Sequence, residues 1–290
     1  MSPIHLLMKV STKPSRRVLK KALRIAHSSN QSLRIYAEDF KRSEDHTFLD
    51  FLIQGGESHA RYDDFFVQWC SSILEMVEEI HEELELTKVD VELEHAKDSN
   101  WVKALVKDNQ EPRILLVDYS TGVLAAHLLR ELTRNKFNIL LLTNKGWQQK
   151  LSIAAAIDPL HRGDQEANVD KAIITQSVSL KQRLNAGLSL VYCQFVAPHL
   201  YKHNQQILLN QKQAVQAFLH DNQLDKFNFR FIKGNPEQGL PQVVELMEAS
   251  ILALGACKRS ALSRYWSGST VDVLLKYPPC DLFLICGDAN

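Results

Sequence analysis

The chain has 290 residues, about twice the size of an average domain, so there is room for two hydrophobic cores rather than one. Its 34 Lys and Arg balance its 34 Asp and Glu, which excludes a protein that works by bulk charge on phosphate backbones and leaves only local patches. Hydrophobic residues at 45% and charged residues at 23% match folded globular chains and exclude disordered, collagenous and coiled-coil classes.

A short apolar run over 4–10 predicts a strand, and Val18, Ala22, Leu23, Ile25 and Ala26 at helical spacing predict a helix over 16–30. A second strand is expected over 33–37. After a polar stretch containing Gly55 and Gly56 comes the longest amphipathic segment. Its stripe, Phe66, Trp69, Cys70, Ile73, Val77, Ile80 and Leu84, steps by three and four residues and predicts a helix of about six turns with one buried face. A strand over 89–93, a helix over 100–107, a strand over 114–117, a helix over 123–134 and a strand over 139–142 complete the first half.

The same order follows again. Strands are predicted over 153–157, 188–193, 228–232, 251–254 and 282–285, separated by helices over 169–184, 205–219, 241–248 and 268–276. Several of these strands are continuous apolar runs, as strands covered on both faces require. The fold class expected is therefore α/β, with two tandem five-stranded parallel-sheet domains, each a Rossmann-like α/β/α layering, spanning 1–147 and 148–290.

Five widely spaced cysteines, Cys70, Cys193, Cys257, Cys280 and Cys286, contain no C-x-x-C pair and suggest a reducing compartment. Residues 1–21 place apolar side chains before basic ones, the reverse of a secretory signal, and no apolar run approaches the ~20 residues of a membrane-spanning helix. A cytoplasmic protein with no membrane insertion and no nucleic-acid partner is expected. Charge is nonetheless segregated: residues 1–42 hold 10 basic and 2 acidic residues, and 43–98 hold 3 and 16. Either these are solvated faces of neighbouring helices or one of them meets a charged partner.

In an open parallel sheet, ligands bind beyond the carboxyl ends of the strands, where the chain order reverses. In the second half the first strand runs into Asp158-Pro159, and the fourth ends near Gly255, ahead of Lys258, Arg259, Arg264 and Gly268-Ser269-Thr270. A glycine after a strand allows close backbone approach, and Gly-Ser-Thr at a helix start offers N–H groups and hydroxyls to an anion. His199 and His203 lie four apart without a third ligand and read as surface histidines. No G-x-S-x-G, G-x-x-x-x-G-K or H-E-x-x-H motif occurs, so nothing marks a dedicated catalyst.

Gly255 followed, after x-x-Lys258 and nine residues, by Gly268-Ser269, together with Asp158 at the end of a first strand, resembles the universal stress protein domain. Nucleotide-binding members of that family carry Gly-x-x-Gly, nine residues, then Gly with Ser or Thr. Trp147, the run Ala155-Ala156-Ile157-Asp158-Pro159-Leu160-His161, and Pro279-Cys280-Asp281-Leu282 are most similar to its tandem, two-domain type. The resemblance implies Asp158 against ribose or adenine, Cys193 lining the base, and Gly255, Gly268, Ser269 and Thr270 around phosphates, with ATP or AMP and Mg2+ as cofactors. Lys258, standing where the family has its second glycine, either blocks the backbone approach or, with Arg259, supplies a cation.

The first half lacks this loop. If Asp118 and Asn138 correspond to Gly255 and Asp281, its connection spans 20 positions against 26, and its first strand ends in Lys9-Val10-Ser11 where an Asp is expected. The implied function is a binding or regulatory module in stress tolerance, with the two domains pairing inside the chain and a homodimer of tandem chains as a further arrangement. The alternatives are an ATP switch or slow ATPase using residues 255–270, and a binder of an apolar, lipid-like ligand.

Overall fold

The computed structural model describes residues 3–11, 13–38, 57–85, 87–95, 105, 114–122, 135–161, 163–164, 166–256 and 269–286. The helices predicted over 100–107 and 123–134 lie outside them, apart from the buried helical residue Leu105. The chain divides into two compact units, Met1–Thr121 and Gly122–Asn290.

The first unit contains β1 (Ile4–Lys9), α1 (Arg16–Ser28), β2 (Leu33–Glu38), α2 (Glu57–Leu84), β3 (Val91–His95) and β4 (Ile114–Asp118). Its strands run in the order β3-β2-β1-β4, and β1 is parallel to both β2 and β4. Ser15 caps α1, its hydroxyl accepting from the Val18 N–H at 3.3 Å. On α2 the expected stripe faces inward: Trp69, Ile73, Val77 and Ile80 are all buried.

The segregated charges of this half meet each other. Arg16 pairs with both Glu79 and Glu83, the latter at 3.0 Å, and Lys20 reaches Glu83 at 2.5 Å, so basic α1 and acidic α2 are ionic neighbours. Arg34 on β2 likewise bridges Glu92 and Glu94 on β3. Much of what the sequence offered to a charged partner is thus spent internally. These pairs are exposed enough that their role is to match the helices, and the buried stripe supplies most of the stability.

The second unit contains β5 (Asn138–Leu142), β6 (Ser152–Ala156), α3 (Asn168–Leu184), β7 (Gly187–Gln194), a 3-10 turn (Pro198–His203), α4 (Asn204–Asp221), β8 (Asn228–Lys233), α5 (Pro236–Leu246), β9 (Ile251–Gly255), α6 (Ser269–Lys276) and β10 (Asp281–Ile285). The strand order is β5-β10-β9-β6-β7-β8. From β10 to β8 every pair is parallel, giving the doubly wound order of a five-stranded repeat. α5 starts five residues before the predicted helix because Asn235 accepts from the Glu237 N–H at 3.2 Å and Pro236 occupies the first turn, where its missing N–H costs nothing.

The β5–β10 pair is antiparallel, with Leu140 opposite Phe283. Around that pair the contacts repeat at a constant spacing of 143 positions: the Asn138 side-chain oxygen accepts from Cys286 N–H at 2.9 Å, and Asp281 accepts from Thr143 N–H at 2.8 Å. Asp281 goes further, taking the Thr143 hydroxyl at 2.8 Å and the Trp147 indole N–H at 2.7 Å while itself only 1% exposed. Asp281→Asn would replace the oxygen facing Trp147 with an NH2 group or lose the Thr143 pair. Denaturant unfolding should show a loss of about 1–3 kcal/mol, accompanied by a change in Trp147 emission.

Candidate functional site

Two strands of the second repeat diverge in connection: β6 leads through α3 to β7 on one side, and β9 leads through α6 to β10 on the other. Their common crest is the switch point. Ala155 lies opposite both Leu190 and Ala253, so continuing the registers brings Ile157 level with Tyr192 and Gly255, and Asp158 level with Cys193 and Ala256. The ladder does continue, since Ile157 N–H donates to Val191 O at 2.9 Å. Asp158, Cys193 and Gly255 are therefore brought to one crest.

The loop beyond Asp158 is held by two acids that sequence reasoning did not single out. Asp170, fully buried in the first turn of α3, accepts from the Asp158 N–H at 2.7 Å. Asp164 accepts from Asn168 N–H at 3.0 Å and Val169 N–H at 2.9 Å, capping the helix in place of Ala167, which sits at φ 51. The signal was an acidic residue in and just before the first helical turn. Within the loop, His161 Nδ1 accepts from Gly163 N–H at 3.1 Å, which leaves the proton on Nε2.

Electrostatics at the crest are set by burial and by one carboxylate. Burial first, then the Asp158 charge, pushes the Cys193 thiol up to about 11. The Tyr192 phenol is pushed up to about 12 by burial, then by Asp158 and Cys193. Both groups stay protonated at neutral pH, so Cys193 is a neutral lining residue and not a nucleophile. Its sulfur packs toward α5, where a Cβ added to Gly239 would stand 3.3 Å from it. The arrangement can accept hydrogen bonds through Asp158 and admit backbone approach at Gly255. It contains no base paired with a nucleophile.

Lys258, Arg259 and Gly268 lie outside the described residues. Ser269 opens α6, and Thr270 is half-buried in its first turn. His199 and His203 are exposed on the 3-10 turn, whose three-residue period takes residues four apart off a shared face. Among the described residues no group of three or more His, Cys, Asp or Glu could hold a metal ion.

The corresponding crest of the first repeat carries its charges differently. Leu7 lies opposite Val117, so Asp118 takes the Gly255 position and Lys9 the Asp158 position. Asp118 accepts from Ser120 N–H at 2.9 Å. Burial raises its carboxyl above the ordinary value, against the opposing influence of Ser120 and Lys9.

Comparison with known proteins places this geometry. Residues 170–285 match the model of the universal stress protein family. Over the full length the likeness is one of fold. A protein of unknown function from Pseudomonas aeruginosa PAO1 superposes with a TM-score of 0.63 at 16% identity, covering 98% of this chain and 92% of that one. A universal stress protein from Archaeoglobus fulgidus DSM 4304 gives 0.58 at 11% identity, covering 97% of each chain. No curated protein sequence matches the chain significantly. Among the described residues no helix is long and apolar enough to cross a membrane.

The first crest makes a thermodynamic prediction. Asp118 has a raised value when folded, so the native state holds the proton more tightly and stability falls as pH rises from the ordinary carboxylate value through the raised one. Asp118→Asn keeps an acceptor for Ser120 and removes that fall. The variant should melt above the wild type at neutral pH, and the gap should close on acidification below about pH 4.

Proposed function

We propose that the chain is a non-catalytic binding and regulatory module of stress tolerance with one small-ligand site, at the crest of its second repeat, and that the first repeat acts as its built-in partner. The observation that carries this reading is the contrast between the two crests. In the second, Asp158 follows the central strand and lies between Cys193 on β7 and the glycine strand end of β9. In the first, the Asp118 carboxylate stands where Gly255 stands, so an anion would meet a charge of its own sign. The family resemblance supports an adenine nucleotide as the ligand, and the β5–β10 seam with its repeated contacts supports pairing of the repeats within one chain.

Calorimetric titration with Mg-ATP tests it. One nucleotide should bind per chain, and Asp158→Ala should abolish the heat while leaving the melting profile cooperative. Two equivalents would show that the first crest is competent. No heat at millimolar ATP would remove the nucleotide and leave an apolar ligand as the alternative, to be sought in a denaturing extract of the purified protein. Release of phosphate on incubation with Mg-ATP would replace the non-catalytic reading with a slow ATPase.

A further inference from the structure

The sequence between Asp170 and Asp221 contains no acidic residue over 50 positions, yet carries Lys171, Lys181, Arg183, Lys202 and Lys212, with His199, His203 and His220. In a chain of zero net charge with balanced acids and bases this is the longest departure from mixing that the second repeat offers. The run covers α3, β7, the 3-10 turn and α4. Because β6, β7 and β8 are adjacent and parallel, right-handed crossovers put α3 and α4 on the same face of the sheet.

The centre of the run is the 3-10 turn, and none of its six residues is buried. It presents Leu200 at 40% and Tyr201 at 61% exposure, next to Phe195 at 45% before it and Leu209 at 48% after it. α4 behind it buries only Val215 and Leu219 of its 18 residues. Lys171 in the first turn of α3, Lys202 in the 3-10 turn and Lys212 in α4 are all exposed, and among the described residues none of them pairs with a carboxylate. Leu200, Tyr201 and Lys202 thus share one outward turn, flanked in sequence by the cations of α3 and α4, with no carboxylate in the stretch 171–220.

We propose that this turn is a peripheral docking site for an anionic membrane surface. A bilayer interface accepts exposed apolar side chains standing out from a surface: Leu200 and Phe195 would enter the acyl boundary, Tyr201 would sit at headgroup level, and Lys202 with Lys171 and Lys212 would meet anionic headgroups. A nucleic acid would use the cations but gain little from Leu200 and Leu209. The two signals are jointly required, because either alone gives only marginal, reversible attachment. The turn follows the same end of β7 as the ligand crest, but the proposal does not rest on the crest reading and stands whether or not a nucleotide binds.

Sedimentation of the full-length protein with vesicles tests it. Phosphatidylcholine vesicles carrying phosphatidylserine should bring the protein down, pure phosphatidylcholine vesicles should not, and raised salt should release it. Leu200→Ser with Tyr201→Ser should weaken the attachment roughly tenfold, and Lys202→Glu with Lys171→Glu at least as much, from the ~5-fold that each interfacial cation contributes. All four positions are exposed, and an unchanged circular dichroism spectrum and melting profile confirm that the variants fold. Failure of the wild type to bind anionic vesicles overturns the proposal, as does binding that the Leu200 and Tyr201 changes leave intact. Equal retention by single-stranded DNA, lost only with the lysines, would overturn it in favour of a polyanion surface.

Discussion

The antiparallel β5–β10 pair is the constraint from which the rest of the second unit is built. A parallel sheet of the doubly wound type ends in an edge, and an exposed apolar edge invites association. Here β10 is covered by β5, and all ten residues of the two strands are buried. The pairing is self-complementary: Leu140 meets Phe283, and the two corner contacts, from Asn138 and from Asp281, are copies of one another in sequence position. A contact that maps onto itself by exchange of equivalent residues is what a two-fold interface requires. The two corners are not identical: Asp281 also accepts from the hydroxyl of Thr143 and the indole of Trp147, fastening the residues that lead out of β5.

Divergence at the crests follows the same logic. The two crests carry different residues at equivalent register positions. Lys9 and Asp118 occupy the positions of Asp158 and Gly255, so the close backbone approach is blocked by a carboxylate and the acceptor is replaced by a cation.

Much of this was legible in the sequence because the strands are continuous apolar runs, a pattern that only burial on both faces produces. The equivalence of Asp118 with Gly255 and of Asn138 with Asp281, drawn from strand ends alone, coincides with the last residues of β4 and β9 and the first of β5 and β10. The loop after Asp158 was less legible. Its order depends on Asp164 and Asp170 reaching backbone N–H groups across a left-handed Ala167, and a single carboxylate near a helix start does not announce which donor it will find. The start of α5 was hidden by Pro236, which reads as a break and in fact serves as a beginning. The antiparallel seam was invisible, because nothing local in Asn138–Leu142 says which distant strand it will meet.

Charge shows most plainly how a sum conceals an arrangement. Net neutrality conceals the segregation within the first half, whose charged faces belong to neighbouring helices: Arg16 and Lys20 of α1 face Glu79 and Glu83 of α2, with these side chains still partly exposed. Opposite charges that alternate between neighbouring elements cancel at short range, and their field dies within a Debye length. The acid-free run from 171 to 220 differs in kind: no carboxylate within it can cancel its cations, and its centre is a turn with nothing buried. A field of one sign persists only where the counter-charges lie elsewhere, and exposed leucine and tyrosine persist in a soluble fold only where their exposure is tolerated or used. On the 3-10 turn the two meet in Lys202 beside the exposed Leu200 and Tyr201.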